Sequence, residues 1–215
     1  MTASRKILIL APHPDDEVLG CGGTVCHHKA AGDQVSVVFL TSGELGLKHL
    51  ERAKAWRIRE EEAGKAARIL GLVIVGFLHG PDWGVAEVVV RLARELRPIL
   101  EREKPDRIYL PHPADGHPDH QATLAVLRRA LARWKTKLPE LLAYEVWTPL
   151  AAFDHVVDIT GWMPRKLKAL RAHRSQLGDF DYVRAIRGLN EYRGVLAAKR
   201  PFVEVFQTLA LEQRK

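Results

Sequence analysis

Residues 7–17 read ILILAPHPDDE, an apolar run that ends at a proline and leads directly into a histidine and three carboxylates. Runs of Ile and Leu bounded by Pro are typical of a fully buried strand in a parallel sheet. Because such a strand presents functional groups only at its ends, we expect the chemistry to lie just after Leu10. The flanking prolines restrict the backbone to turns, so His13 and Asp16 form the first candidate pair of metal ligands.

A second cluster of histidines and aspartates also follows a short apolar run. The short apolar run RIYL at 107–110 is followed by PHPADGHPDH at 111–120. This cluster contributes His117 and His120, and a helix that begins near Pro118 would hold the His120 imidazole firmly. If strands one and four are neighbours, as in a Rossmann-like sheet, both clusters meet at the carboxyl edge of the sheet. Two histidines and one aspartate around a cation leave a position for water, which is typical of a catalytic zinc site.

Hydrolysis at such an ion needs a base and a group that stabilises an oxyanion. Asp15 suits the first task, since it is adjacent to a ligand and remains free to accept a proton. His117 suits the second task, and we expect the carboxylate of Asp115 or Asp119 to orient it. The alternative for both clusters is a pair of proline-rich turns with aspartate caps. The following histidines lack ligand-spaced partners and are predicted to be ordinary surface or core residues: His27, His28, His49, His79 and His155.

Short apolar runs alternate with segments of helical period up to about residue 150. This alternation predicts a Rossmann-like three-layer α/β/α fold with a mostly parallel sheet, because right-handed crossovers place helices on both faces. Close helix packing explains the glycines of the first helix more simply than a phosphate loop does. The predicted strands are 5–10, 34–41, 72–78, 106–110 and 141–147, and the predicted helices are 18–31, 57–70, 85–103 and 119–134.

The pattern changes after residue 150. A strand-like segment at 153–159 is followed by helical stretches at 162–176 and 180–197 and by a final strand at 202–206. We interpret this part as a C-terminal α/β extension that forms a layer over the site. The 215 residues are therefore predicted to form one domain, with a core of about 1–150 and an extension of about 151–215.

Composition narrows the function classes. The chain is 47% hydrophobic and 27% charged, as in ordinary soluble proteins, and without an apolar run of about 18 residues it is predicted to be cytoplasmic with no membrane partner. The net charge of +7 suits a polyanion, but the scattered basic residues argue against nucleic-acid binding. The spacing of Cys21 and Cys26 fits neither a redox motif nor a zinc ribbon, so we expect reduced, buried thiols.

Together the clusters at 11–17 and 117–120 resemble the two signatures of the LmbE-like, or PIG-L, zinc N-deacetylases. Further similar stretches extend the resemblance over most of the chain, namely Thr41–Glu44, Arg59–Ala63, Ile69–Gly71 and Pro81-Asp82. The resemblance implies one zinc ion per chain, or another divalent ion in its place. It also implies zinc ligation by His13, Asp16 and His120, with Asp15 as general base and His117 as oxyanion partner.

Stretches in the C-terminal part of the chain resemble one subgroup of this family. The stretches KLKA at 166–169, HRSQ at 173–176, YRG at 192–194 and EVF at 204–206 are similar to the deacetylases of bacillithiol biosynthesis. That similarity implies N-acetylglucosaminyl-malate as the substrate and a homo-oligomer, with a hexamer among the assemblies. The chain departs from the family at Pro12, where many members have another residue, and at Trp83, where glycine is usual. Trp83 changes the expected pocket shape.

Substrate contacts follow from the same resemblance. Arg59 and Asp82 look like family positions that hold sugar or acidic groups, and a guanidinium suits a malate carboxylate. The alternatives are an intrahelical pair of Arg59 with Glu62 and a turn-forming Asp82. His173 and Gln176 lie three residues apart, so on one helix face they would either line the mouth or support packing.

Two other functions compete with deacetylation. Aspartate-rich loops also hold paired cations in phosphoester hydrolases, so two ions per chain would favour that activity. A noncatalytic metal-binding or polyanion-binding protein is the third alternative, and salt-sensitive DNA binding without hydrolysis would support it.

Overall fold

The computed structural model describes residues 4–132, 134–178 and 180–211. Within them one sheet contains the strands β1 (Lys6–Ala11), β2 (Gln34–Thr41), β3 (Val73–Gly80), β4 (Arg107–Pro111), β5 (Glu140–Tyr144), β6 (His155–Asp158) and β7 (Val203–Leu209). The α-helices are α1 (Asp16–Ala30), α2 (Arg52–Leu70), α3 (Val89–Glu103), α4 (Pro118–Ala130), α5 (Met163–Leu170) and α6 (Tyr182–Arg193).

The sheet has the strand order β3-β2-β1-β4-β5-β7-β6. Strands β1 to β5 pair in parallel, and β7 runs antiparallel to both β5 and β6. β1 lies between β2 and β4, with Ile7 in register with Val35 on one side and Arg107 on the other. The predicted three-layer, mostly parallel fold is confirmed, and so is the juxtaposition of strands one and four.

Both faces of β1 are buried, which explains its continuous apolar sequence. Ile7 and Ile9 pack in the cluster formed with α1, α2, α5 and α6. Leu8 and Leu10 pack in the opposite cluster, formed with α3 and α4. A strand covered on both sides has no solvent face for polar residues. The polar residues therefore begin where the strand ends, at the carboxyl edge.

The first helix approaches its neighbours closely. A Cβ on Gly20 would lie 2.2 Å from the Tyr144 ring, and one on Gly23 would lie 2.6 Å from Ile159. Close packing therefore accounts for these glycines, as predicted. Cys21 and Cys26 are free and buried, which confirms that expectation too.

The segment after residue 150 differs in part from the predicted layer over the site. β6 and β7 extend the sheet at its edge, while α5 and α6 join the helices on one face. The predicted helix 162–176 ends at Leu170, because the chain turns there to bury His173 and to bring Ser175 to α2. The Ser175 N–H and hydroxyl both donate to the Glu62 carboxylate, at 2.9 and 2.6 Å.

Candidate active site

A cleft of about 450 Å³ opens where β1 and β4 end. Its floor contains both sequence clusters, including His13, Asp15, Asp16 and His117. Its walls come from the loop after β2, the loop after β3 and the turn after α5. Most of the residues that the sequence singles out therefore face one space, and His120 is fully buried.

The Asp16 carboxylate lies at metal-ligand spacing from two histidines. Asp16 Oδ2 is 3.2 Å from His13 Nδ1 and 3.3 Å from His120 Nε2. Ligands of a tetrahedral zinc ion with bonds of about 2.1 Å lie about 3.4 Å apart. His120 is fully buried, and neither of its ring nitrogens is aligned for a hydrogen bond with any described residue. An orphaned imidazole beside a carboxylate fits a metal ion.

The second ring nitrogen of each ligand histidine, His13 and His120, faces carboxylates. His13 Nε2 lies 3.1 Å from Asp119 Oδ2 and 3.2 Å from Asp82 Oδ1, and His120 Nδ1 lies 3.1 Å from Asp115 Oδ1. Such outer carboxylates orient metal-bound imidazoles. Asp115 also contacts His117 as expected, but through the backbone, because its Oδ1 accepts the His117 N–H at 3.0 Å.

His117 precedes the first turn of α4 and is held by a backbone hydrogen bond. The Asp119 N–H donates to His117 Nδ1 at 3.2 Å. A ring nitrogen that accepts carries no proton, so the proton of the neutral imidazole sits on Nε2. Burial and then the charges of His13 and His120 lower the pKa of His117 to about 4. His117 is therefore a neutral hydrogen-bond donor through Nε2.

The position of the proton on His117 also decides whether this residue can bind a metal. His13, His117 and His120 present ring nitrogens within 4.8 Å of one another, and His13 and His117 also approach Asp82 and Asp119. A His117 ring with an occupied Nδ1 and a proton on Nε2 has no free lone pair for a metal. The geometry therefore favours Asp16 over His117 as the third ligand.

Asp15 has an unusual backbone and two restraints. Its φ of 126° lies in the region that favours glycine, and its N–H donates to Glu17 Oε2 at 3.0 Å. Its carboxylate lies 3.3 Å from Arg59 Nη2. Burial raises the pKa of Asp15 to about 6, although the Arg59 charge opposes the rise. A carboxylate with this pKa is a suitable proton acceptor near neutral pH.

The pKa values of the two ligand candidates Asp16 and His120 shift in opposite directions. Burial alone would raise the pKa of Asp16, but the neighbouring His120 and His13 imidazoles hold it well below its ordinary range. Burial alone would lower the pKa of His120, but the Asp16 and Asp115 carboxylates raise it to about 9. The site is therefore strongly anionic around the imidazoles, which favours a bound cation.

Arg59 and Asp82 line the cleft, but their charged groups also contact the protein. Arg59 is buried and donates to the Pro14 carbonyl at 2.6 Å, and the alternative pairing with Glu62 is replaced by the Glu62 contact with Ser175. Asp82 Oδ2 accepts the Leu45 N–H at 2.8 Å. The Arg59 guanidinium thus acts first on the loop that carries Asp15.

Aromatic side chains form a rim next to His117, of which the sequence analysis named only Trp83. The His117 ring centroid lies 4.6 Å from that of Trp83 and 5.9 Å from that of Trp147, and Trp147 contacts Phe180 at 6.3 Å. Each of the three aromatic side chains is more than half exposed. Trp83 has φ 65°, a conformation that favours glycine, so glycine at this position is understandable. Trp147 follows the fifth strand, and only the topology places it here.

Several of the remaining histidines have ordinary surroundings, as predicted. His28 is buried between Asp33, at 2.7 Å, and the Tyr109 hydroxyl, at 2.9 Å. His79 stacks on Trp56 away from the cleft. His49 is the exception, because it is exposed on the cleft wall next to Lys48.

Comparisons with known proteins decide the family. The family model described as PIG-L, GlcNAc-PI de-N-acetylase, matches residues 8–131, more than half of the chain. The chain belongs to the PIG-L family. The matched region contains every ligand candidate of the site. The family resemblance noted from the sequence is therefore confirmed.

The chain is also similar to individual known proteins. The chain is 30% identical over 192 residues to a probable N-acetyl-alpha-D-glucosaminyl L-malate deacetylase 2 of Bacillus anthracis, covering 82% of this chain and 83% of the relative. The conserved protein TT1542 of Thermus thermophilus has a TM-score of 0.78 at 32% identity, with 97% and 96% of the two chains covered. The N,N'-diacetylchitobiose deacetylase of Pyrococcus horikoshii has a TM-score of 0.85 at 27% identity, with 96% and 84% covered.

In the described residues no helix is both long enough and apolar enough to cross a membrane.

Proposed function

We propose that this PIG-L chain is a zinc-dependent hydrolase that removes the acetyl group from an N-acetylglucosamine conjugate, with N-acetylglucosaminyl-malate as the substrate. One observation carries the proposal: a triad of metal-ligand geometry, a buried carboxylate and a neutral imidazole donor face the same cleft. A metal-dependent amide hydrolase uses these three parts to activate water and stabilise the oxyanion. The name of the Bacillus relative supports the choice of substrate.

His13, Asp16 and His120 would hold the ion, since Asp16 Oδ2 lies 3.2 Å from His13 Nδ1 and 3.3 Å from His120 Nε2, and His120 has no aligned hydrogen-bond partner in the described structure. Zinc bound there would supply Lewis acidity, which polarises an amide carbonyl and favours attack by water. We propose one ion per chain. The Asp82, Asp115 and Asp119 carboxylates would fix the orientation of the two imidazoles.

Asp15 would accept a proton from the attacking water. Its carboxylate is buried, and Arg59 restrains it at 3.3 Å. His117 would donate its Nε2 proton in a hydrogen bond to the oxygen that becomes negative in the tetrahedral intermediate. Asp15 would then pass the proton to the amide nitrogen as the C–N bond breaks. Acetic acid and the amine leave, which ionise in water to acetate and an ammonium group, and Asp15 is again a carboxylate.

The cleft walls suggest how a conjugate is held. Trp83 and Trp147 flank His117 and offer flat apolar surfaces to the pyranose ring. Lys48 and His49 are exposed on the wall and suit the malate carboxylates. Arg59 remains a second candidate for an acidic group, and Asp82 remains one for a sugar hydroxyl.

The substrate proposal is tested by amine release from N-acetylglucosaminyl-malate, N-acetylglucosamine and N,N'-diacetylchitobiose. Each is measured with purified protein, after chelation and after zinc restoration, together with the metal content. We expect one zinc per chain and a chelator-sensitive preference for the malate conjugate. Preference for diacetylchitobiose would keep the deacetylase and replace the substrate. Two ions with phosphoester turnover, or metal without any turnover, would overturn the proposed activity.

We also propose a cytoplasmic location, and the family resemblance supports a homo-oligomer, with a hexamer as one assembly. Light scattering coupled to size exclusion measures the assembly directly. A monomer over the working concentration range would contradict this part of the proposal.

A further inference from the structure

The backbone of Asp15 needs an external restraint. Its φ of 126° and ψ of −27° lie outside the regions that a side chain with a Cβ ordinarily adopts. Such conformations persist only where the surroundings determine them, and they occur at functional sites. The groups that contact this residue therefore set the direction of its carboxylate.

Glu17 is one of these groups. It is 1% exposed, and its Oε2 accepts the Asp15 N–H at 3.0 Å. Its other oxygen, Oε1, has no hydrogen-bond partner among the described residues. A buried carboxylate in contact with a single backbone N–H is costly unless another group compensates its charge.

His173 faces that oxygen. Its Nε2 lies 3.8 Å from Glu17 Oε1, the ring is completely buried, and neither ring nitrogen has a hydrogen-bond partner in the described part of the chain. The turn that carries it is fixed to α2, because Ser175 donates twice to Glu62. Two unpartnered buried polar groups thus face each other directly beneath Asp15.

We propose that Glu17 and His173 are a positioning pair for Asp15, a role that rests on the proposed function of Asp15 as proton acceptor. The His173 ring faces the Glu17 carboxylate across 3.8 Å and compensates its buried charge, and Glu17 holds the Asp15 backbone in the conformation that aims its carboxylate into the cleft. The C-terminal extension would in this way contribute to catalysis without touching substrate. This explains why the helix predicted for 162–176 breaks, since a continuous helix would not bury His173 here.

The test combines His173→Leu with Asp15→Asn in a double-mutant cycle. We expect His173→Leu to lower kcat about 10- to 100-fold, the range found when outer partners of a site are removed, with KM changed less than about twofold. His173→Gln retains an N–H donor and should recover most of the rate. In the Asp15→Asn background, His173→Leu should change the residual rate less than about twofold, because the pair acts only through Asp15.

His28→Leu is the matched control, since it removes another buried histidine that faces a carboxylate, Asp33 at 2.7 Å, outside the cleft. It should reduce stability and leave kcat unchanged. If His173→Leu keeps the wild-type kcat, loses zinc, or slows the Asp15→Asn protein by the same factor as the wild type, the pair does not position Asp15. A wild-type protein inactive on every N-acetylated sugar would overturn the proposed function, and the inference with it.

Discussion

At the residue scale, one backbone hydrogen bond determines the chemistry of His117. The Asp119 N–H occupies Nδ1, so Nε2 carries the proton and the ring cannot offer a lone pair to a metal. The lowered pKa of about 4 keeps this form neutral at physiological pH. His117 and His120 are three residues apart, yet in this account His117 donates a hydrogen bond and His120 binds the metal.

His117→Ala should therefore lower kcat about 10²- to 10³-fold, the cost of losing one oxyanion donor, and should retain one zinc per chain. His120→Ala is the comparison, because it should lose the zinc. Metal analysis and steady-state kinetics on both proteins check the difference. Loss of zinc from the His117 variant would instead make His117 a ligand.

Arg59→Lys should lower kcat more than it raises KM. Arg59 Nη2 donates to both the Pro14 carbonyl and the Asp15 carboxylate, and a lysine ammonium on its flexible stem does not keep the position of the planar guanidinium, so the base is less well held. Kinetics with the malate conjugate separate the two effects. A large rise in KM with unchanged kcat would show that Arg59 binds the malate carboxylate.

At the element scale, a buried ion pair fixes α1. Lys166 of α5 donates to Glu204 of β7 at 2.7 Å and to the Leu19 carbonyl of α1 at 2.9 Å. Glu204 in turn accepts the Gly23 and Thr24 N–H groups of α1. The helix that begins with Asp16 is thereby attached to the C-terminal extension.

Lys166→Met should cost about 3–5 kcal/mol of unfolding free energy, because it leaves the Glu204 charge buried without its partner. Lys168→Met, on an exposed position of the same helix, should change stability by less than about 0.5 kcal/mol. Urea unfolding measures both values. Equal effects would mean that the ion pair does not stabilise the fold, and adding Glu204→Gln to Lys166→Met should recover part of the loss.

The strands were predictable because a doubly covered strand must be continuously apolar, as residues 7–11 are. The parallel core then followed from the alternation of strands with helices. The end of α5 was not predictable, since the burial of His173 depends on Glu17, which lies far away in sequence. Local periodicity cannot register such a contact.

At the scale of the whole molecule, the site joins groups from distant parts of the chain. His13 and Asp16 were predictable as a pair because only two residues separate them and Pro12 and Pro14 constrain the backbone there. The contacts of Asp115 with His120 and of Trp147 with His117 depend on how β4, β5 and α4 assemble. The outer carboxylates and the aromatic rim therefore emerge only in the folded structure.

Zinc should stabilise the whole fold, since it binds the assembled triad and not the unfolded chain. Free zinc at 100 times its Kd contributes about 2.7 kcal/mol, which corresponds to a Tm increase of roughly 5–10 °C for a chain of this size. Asp16→Asn should abolish most of the increase. Calorimetry with and without chelator makes the comparison, and an equal increase in the variant would exclude Asp16 as a ligand.

The most direct test of the central claim is amine release from N-acetylglucosaminyl-malate by zinc-loaded wild-type protein and Asp15→Asn, measured in parallel. The account predicts turnover by the wild type and a rate about 10²- to 10⁴-fold lower in the variant at equal zinc content, because only the proton acceptor is lost. Equal rates in the two proteins would contradict the assignment of Asp15 as the base, and no amine release by either would contradict deacetylation of this conjugate.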